Sequence, residues 1–167
     1  MERILVIGCA GVGKTTLSRQ LGQKLDLPLV HLDSIFWSPG NWQHLDRAAF
    51  DAALHAELQK PCWIMEGNYD DTLSIRLEFC DTVFWLDYSP WVCMFRWLKR
   101  MIANWNNVRS DMAPGCLERF EWEFAKEIWN FNRKNRGKYQ RMIAAYPQKK
   151  LYRFQTPQQL KRFLKTL

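Results

Sequence analysis

The sequence has no apolar run near the roughly 18 residues that a membrane span requires, and its N-terminus lacks the apolar segment of a signal peptide. Its five cysteines form no C-x-x-C pair, which argues against a zinc site or a disulfide framework. No internal repeat or low-complexity linker divides the 167 residues. These absences predict a single domain, residues 1–167, in a reducing, cytoplasmic environment.

Recognised DNA-binding motifs are also missing, because the chain shows no helix-turn-helix pattern, zinc finger or basic zipper. Acidic residues are scarce in the second half. Residues 1–88 contain seven Lys and Arg against twelve Asp and Glu, a formal charge of −5, so within a total of +7 residues 89–167 carry +12. A basic half can hold the phosphates of a nucleotide or of a nucleic acid, or form a solvated surface.

Short apolar runs alternate with stretches of helical periodicity. The runs predict buried strands at 3–7, 29–32, 62–65, 82–86 and 150–154. The periodic stretches predict helices at 14–25, 46–59, 90–105, about 117–135 and from 157 onward. This alternation predicts a three-layer α/β/α fold around a parallel sheet of about five strands.

The clearest motif lies between the first predicted strand and the first predicted helix. Residues 8–15 read Gly-Cys-Ala-Gly-Val-Gly-Lys-Thr and match the phosphate-loop pattern G-x-x-x-x-G-K-[ST]. Lys14 is predicted to reach the β- and γ-phosphates, and the Thr15 hydroxyl to bind Mg²⁺. The predicted nucleotide-binding residues are Gly8, Gly11, Val12, Gly13, Lys14, Thr15 and Thr16.

Several further segments resemble a known family. The phosphate loop is followed by His31-Leu32-Asp33, by Trp37 and Trp42, by residues 63–69 and by an arginine-bearing segment after Asp87. This order resembles the adenylate-kinase-like P-loop kinases, and within them most the DNA topology modulation proteins. The resemblance covers nearly the full length. It implies an ATP- and Mg²⁺-dependent transfer of phosphate to a nucleoside, a nucleotide or another small molecule.

The resemblance assigns roles to two carboxylates at the ends of predicted strands, where ligands of parallel sheets bind. It implies that Asp33 meets the acceptor, whose hydroxyl it would orient or deprotonate, or the magnesium shell, and a less favoured alternative is that Asp33 caps the following turn. Glu66 is implied to hold Mg²⁺ or to touch the acceptor. The sequence departs from the family after Gly67, because Asn68-Tyr69 replaces the Phe-Pro-Arg that helps to bind a nucleoside monophosphate. The predicted acceptor-binding residues are Asp33, Trp37, Glu66, Gly67, Asn68 and Arg76.

Arg96 and Arg100 are four positions apart on one face of a predicted helix, so both can reach one phosphate chain. Similar kinases carry arginines on a helical lid, which the resemblance places around residues 96–136, and Arg109, Arg133 and Arg136 are further lid candidates. Lys14, Asp33, Arg96 and Arg100 form the predicted catalytic set. The alternative function is a nucleic-acid-binding protein that uses ATP as a switch, which the basic second half and the family's name suggest.

Overall fold

The computed structural model describes residues 1–37, 43, 45–108, 114–117 and 120–167. Five strands and seven α-helices alternate along these segments, with a short 3₁₀ turn at Asp70–Thr72. The strands are β1 (Arg3–Gly8), β2 (Leu29–His31), β3 (Trp63–Glu66), β4 (Thr82–Leu86) and β5 (Lys150–Phe154). The helices are α1 (Lys14–Leu25), α2 (Leu32–Phe36), α3 (Arg47–Leu58), α4 (Leu73–Phe79), α5 (Pro90–Ala103), α6 (Trp122–Ala144) and α7 (Pro157–Thr166).

The five strands form one parallel sheet in the order β2-β3-β1-β4-β5. Strand β1 is central, and Ile4 lies opposite Ile64 of β3 on one side and Thr82 of β4 on the other. Because all strands run the same way, the loops that follow β1, β2 and β3 gather at one edge of the sheet. The sheet confirms the predicted fold class and brings distant parts of the sequence together at that edge.

Side chains of β1 alternate between two hydrophobic cores, as a strand covered on both faces requires. Ile4 and Val6 pack with residues of α1 and α5, and Leu5 and Ile7 pack with residues of α3 and α4. All four β1 side chains are fully buried. Helices therefore cover both faces of the sheet, and the result is the predicted three-layer α/β/α arrangement.

Helix α6 differs from its prediction at both ends. It begins at Trp122 and ends at Ala144, whereas the periodicity predicts about 117–135. Leu117 instead forms an isolated antiparallel bridge with Val108. The helix continues because Tyr139 and Ile143 extend its apolar face, and both are buried in the core formed with α3 and α4. Its first turns contribute to the opposite core, so α6 spans both.

The second strand is one residue shorter than predicted, since β2 ends at His31. Asp33 therefore lies in the first turn of α2 rather than on the strand. Helix α5 likewise ends at Ala103, two residues before the predicted end. Asp33 still lies at the edge of the sheet where the strands end, because α2 follows β2 directly.

Apolar side chains on α5 are more exposed than a core helix would show. Trp91, Phe95 and Ile102 are 72%, 69% and 70% exposed, although a high aromatic content normally indicates a large core. Trp97, on the opposite face of the same helix, is fully buried. Within the described segments, no helix has the length and apolar character needed to cross a membrane.

Candidate functional site

The phosphate loop follows β1 directly and leads into the N-terminus of α1. Gly11 and Gly13 have φ angles of 74° and 104°, in the region that residues with a Cβ rarely adopt. At Gly11 a Cβ would also lie 2.5 Å from the carbonyl oxygen of Cys93, so α5 packs closely against the loop. The glycines thus hold the backbone in a tight curve at a helix N-terminus, an arrangement suited to binding an anion.

Two cations lie against this loop. The Lys14 Nζ donates hydrogen bonds to the carbonyl oxygens of Gly8 and Cys9, at 2.9 and 3.2 Å. Arg96 reaches the loop from α5, and its Nη1 donates to the carbonyl oxygen of Val12 at 2.8 Å. Both positive charges are therefore positioned where phosphate oxygens would meet the loop.

The loop borders an open cavity of about 1410 Å³. Its wall also includes Asn104, directly after α5, Phe124 of α6, and Pro157, Leu160 and Lys161 of α7. The residues of the sequence-based set that line it are Gly11, Val12, Gly13, Lys14, Thr15, Thr16, Asp33, Trp37, Glu66, Gly67, Asn68, Arg96 and Arg100. Gly8 lies at the start of the loop, where a Cβ would meet the Leu86 carbonyl oxygen at 2.5 Å.

Glu66 ends β3 beside the start of α1. Its Oε1 accepts a hydrogen bond from Thr15 Oγ1 at 2.9 Å and lies 2.9 Å from His31 Nδ1. Burial alone would raise the pKa of Glu66, but the His31 hydrogen bond, the Lys14 charge and the Thr15 hydrogen bond outweigh it, so this pKa lies below its ordinary value. Because an ionised carboxylate only accepts, His31 Nδ1 donates to it.

Asp33 is held by an aromatic neighbour. Tyr69 Oη donates a hydrogen bond to Asp33 Oδ1 at 2.8 Å, and the Tyr69 ring packs against Phe36 and Phe50 with centroids 4.6 and 5.5 Å apart. Burial raises the pKa of Tyr69 above its ordinary value, and the negative charge of Asp33 adds to that shift. The phenol therefore stays protonated and fixes the carboxylate at the cavity wall.

Arg76 lies elsewhere than the acceptor-binding hypothesis places it. Its side chain is completely buried, and its nitrogen atoms donate to the carbonyl oxygens of Gly67, Asn68 and Tyr69 at 2.9 to 3.0 Å. The guanidinium is therefore occupied by main-chain partners. Arg76 thus supports the loop after β3 from beneath and does not line the cavity.

The remaining lid candidates do not line the cavity in the described part of the chain. Arg136 donates from Nε to Asp87 Oδ1 at 3.0 Å, and Arg153 of β5 donates to Asp87 Oδ2 at the same distance. Asp87 is buried, so these arginines neutralise a structural carboxylate. Arg133 is exposed on α6. Arg109 and Trp42 lie outside the described residues.

Sequence reasoning missed three residues at the site. His31 has no role among the predicted site residues, but its ring contacts Glu66. Tyr69 had a sequence signal, since it stands two positions after Gly67 in the loop after β3. Tyr88 lines the cavity, and the guanidinium of Arg96 lies 5.5 Å from its ring centre. The residues around Tyr88 predict only the start of the next helix, so nothing in the sequence indicates that Tyr88 lines a site.

The structure resembles solved kinases over almost its whole length. A candidate kinase from Chloroflexus aurantiacus is 20% identical, with 98% of this chain and 94% of that chain covered and a TM-score of 0.58. Shikimate kinase from Bacteroides thetaiotaomicron is 17% identical, with 99% and 95% covered and a TM-score of 0.55. Deoxyadenosine kinase from M. mycoides with bound dATP is 14% identical, with 99% and 98% covered and a TM-score of 0.51.

No family model and no curated protein matches the chain. At identities of 14 to 20%, the structural matches establish the fold. The chain has the α/β fold of these kinases, with its phosphate loop after the central strand. Their activities belong to those proteins, and an activity for this chain has to be argued from its own residues.

Proposed function

We propose that this chain is an ATP- and Mg²⁺-dependent phosphotransferase that moves the γ-phosphate of ATP to a small acceptor. The observation that carries the proposal is that the phosphate loop and two carboxylates, Asp33 and Glu66, line one cavity. A phosphate-binding loop alone is common to motors, switches and kinases. A carboxylate in the same cavity as that loop supplies the base that transfer to a second molecule requires.

The nucleotide would bind with its phosphates on the loop and its base toward α7. Backbone N–H groups, the N-terminus of α1 and Lys14 would hold the phosphates, and Arg96 and Arg100 would neutralise charge that develops during transfer. The cavity continues past Phe124 to Pro157 and Leu160, which offer apolar surface for a base.

The residues beside the loop fit a magnesium ion. Thr15 Oγ1 and Glu66 Oε1 lie 2.9 Å apart, so one hydroxyl and one ionised carboxylate already converge next to the phosphate loop. Mg²⁺ is usually coordinated by few protein oxygens together with water and substrate phosphates, and these two oxygens match that coordination. When bound, the ion would neutralise charge on the β- and γ-phosphates.

Asp33 would act on the acceptor. Its carboxylate accepts the Tyr69 hydrogen bond through Oδ1, and it is positioned on the cavity wall to take the proton of an acceptor hydroxyl. Glu66 is committed to Thr15 and His31, which favours Asp33 as the base and Glu66 as the ligand of the metal. This division assigns the two carboxylates that the sequence left open.

The finer resemblance to the DNA topology modulation proteins is part of this proposal, supported by the order of the segments from residue 8 to Asp87. A single domain with a lid segment around 96–136 is part of it as well. Arg96 and Arg100 support the lid at its N-terminal end, because both line the cavity from α5. Arg136 gives the lid proposal less support, because its guanidinium is paired with Asp87.

The test is ATP turnover by the purified protein with Lys14→Ala as the loss-of-function variant. We expect Lys14→Ala to lower ATP turnover, measured in the presence of Mg²⁺, more than about 100-fold, because one charge on the transferring phosphate is worth several kcal/mol. Lys134→Ala is the matched control, since Lys134 is exposed on α6 and outside the cavity. Equal turnover by the wild-type chain and Lys14→Ala would refute the proposal, provided that both unfold at the same temperature.

A further inference from the structure

One side of α5 carries large apolar side chains that the folded chain leaves exposed. Trp91, Phe95 and Ile102 are 72%, 69% and 70% exposed. Their positions in the helix bring them to one side of it, with half-buried Leu98 between them. Trp129 of α6 extends this surface, because its ring meets the Trp91 ring edge-on with the ring centres 4.6 Å apart. We call these five residues the apolar stripe.

A rotation of α5 could not bury the stripe, because the opposite side of the helix is already packed. Cys93 and Trp97 lie on that side and are buried in the core. A Cβ on Gly11 would lie 2.5 Å from the Cys93 carbonyl oxygen, so the helix touches the phosphate loop. Arg96 fixes it there through a hydrogen bond to the Val12 carbonyl oxygen. The contacts that position the functional side of α5 therefore hold the stripe outward.

The stripe is large enough to be the apolar part of a dimer interface. Since aromatic side chains can bury about 150–250 Å² each, the exposed fractions of the stripe correspond to on the order of 500 Å² of apolar surface. A standard interface covers about 800 Å² on each partner, and about 65% of it is apolar when the partners are identical. The apolar area that such an interface needs from each partner is thus available on the stripe.

The spacing of the stripe favours a helix as its partner. Its residues on α5 are separated by four, three and four positions, the spacing of a seam that packs along a neighbouring helix. A helix that lies on a membrane instead combines a broad apolar face with several cations along its border, whereas Lys99 is the one exposed charged residue of α5. Among the described helices, α5 exposes the most large apolar side chains, so a second copy of the chain supplies a partner of the required kind.

We propose that the chain forms a two-fold dimer in which the apolar stripes of two copies pack against each other. The two α5 helices are antiparallel, which also opposes their dipoles. Phe95 then lies near the two-fold axis, and Trp91 of each copy lies toward Ile102 of the other. Apolar side chains suit such an axis, because it brings identical residues together and like charges would repel. Arg96 and Arg100 line the cavity on another side of α5, so the dimer leaves both cavities accessible.

Analytical ultracentrifugation of the purified full chain tests the dimer. We expect dimers at micromolar concentrations, and we expect Phe95→Glu to raise the dimer dissociation constant at least about 100-fold, because both copies bring the charge into the interface. Leu151→Glu is the matched control, since Leu151 is 45% exposed on β5 and lies outside the stripe. It should leave the constant within about twofold. A wild-type chain that stays monomeric, or a dimer that Phe95→Glu does not weaken, overturns the proposal.

A lysine-reactive cross-linker tests the arrangement in the unaltered chain, without reliance on the folding of a variant. Lys99 is exposed beside the stripe, and a link between two Lys99 residues must join two copies because each chain has one. We expect mass spectrometry to detect this link and no Lys150–Lys150 link, since Lys150 is exposed on β5. Absence of the Lys99 link, or an equal yield of both, overturns the proposal. Binding of a monomeric chain to phosphatidylserine vesicles, abolished by Phe95→Glu, would also overturn it and assign the stripe to a membrane surface.

Discussion

The charge of Glu66 depends on hydrogen bonds that only the folded chain provides. Burial opposes its ionisation, whereas His31, Lys14 and Thr15 favour it, and the balance leaves the pKa of Glu66 below its ordinary value of 4.5. A carboxyl group whose pKa is lowered by folding stabilises the folded state above the unfolded pKa. That stabilisation is lost as the pH falls through the folded pKa.

Replacement of Glu66 by Gln should remove this pH dependence. We expect Glu66→Gln to be less stable by about 1 kcal/mol at neutral pH, because two charge-assisted hydrogen bonds become ordinary ones. Below pH 4.5 the difference from the wild-type chain should shrink, since wild-type Glu66 takes up its proton there. Urea unfolding from pH 3 to pH 7 measures both. A difference that stays constant over this range would contradict an ionised Glu66.

Residue types could be predicted from the sequence better than their partners. The phosphate-loop pattern predicted that Lys14 and Thr15 lie at the end of a tight loop, because the spacing is constrained by its backbone, and both line the cavity there. Arg76 shows the limit, since nothing in the sequence distinguishes an arginine that binds a ligand from one that binds main-chain carbonyl groups. That distinction depends on the loop after β3 packing over the guanidinium, and this tertiary contact is not encoded in any local sequence pattern.

Among the structural elements, α5 and α6 carry arginines with different tasks. Arg96 of α5 donates to the phosphate loop at Val12 and lines the cavity. Arg136 of α6 pairs with Asp87, whose side chain is only 1% exposed, and lies away from the cavity. Both arginines were lid candidates in the sequence, but in the structure one contacts the phosphate loop and the other forms an ion pair with a buried carboxylate.

Substitution by Met separates these tasks. We expect Arg96→Met to lower ATP turnover about tenfold to 100-fold with little loss of stability, because it removes a cation beside the phosphates. Arg136→Met should leave turnover within about twofold and lower the free energy of unfolding by about 1–2 kcal/mol, since Arg153 still neutralises Asp87. Steady-state kinetics and urea unfolding measure the two effects. The opposite pattern would mean that α6 contributes the lid arginine.

Strand positions and the first helix could be predicted from periodicity, but the extent of α6 could not. Helix α1 has the predicted bounds, because the phosphate loop fixes its start and a polar break ends it. The end of α6 is set by Tyr139 and Ile143 packing under β4 and α4. Periodicity also identified the apolar stripe of α5, yet it could not tell that residues such as Trp91 and Ile102 lie exposed.

At the scale of the whole molecule, the order of the strands determines which residues meet. The sequence predicts a parallel sheet, but it does not give the order β2-β3-β1-β4-β5. That order places Asp33, two residues after the end of β2, next to the strand that ends in Glu66, and it places Arg96 of α5 on the other side of β1. The convergence of the two carboxylates on the cavity beside the phosphate loop therefore becomes recognisable only in three dimensions.

The charge asymmetry along the chain is partly cancelled in the folded structure. The acidic first half and the basic second half are in contact, so several basic side chains of the second half face acids of the first. Arg136 and Arg153 pair with Asp87, and Lys138 lies 3.4 Å from Asp70. Part of the formal charge of +12 is thereby neutralised within the molecule, which weakens the case for an extended nucleic-acid surface.

This internal pairing predicts a weak response to nucleic acid. Binding of a labelled 20-base-pair duplex between 50 and 200 mM salt should be weak and lose less than about tenfold in affinity, because few phosphate contacts release few counterions. ATP and Mg²⁺ should not strengthen it. A loss of about 1000-fold over the same range, together with tightening by ATP that Lys14→Ala abolishes, would instead support the nucleic-acid-binding alternative. The outcome would then assign the phosphate loop to a switch and leave Asp33 without an acceptor.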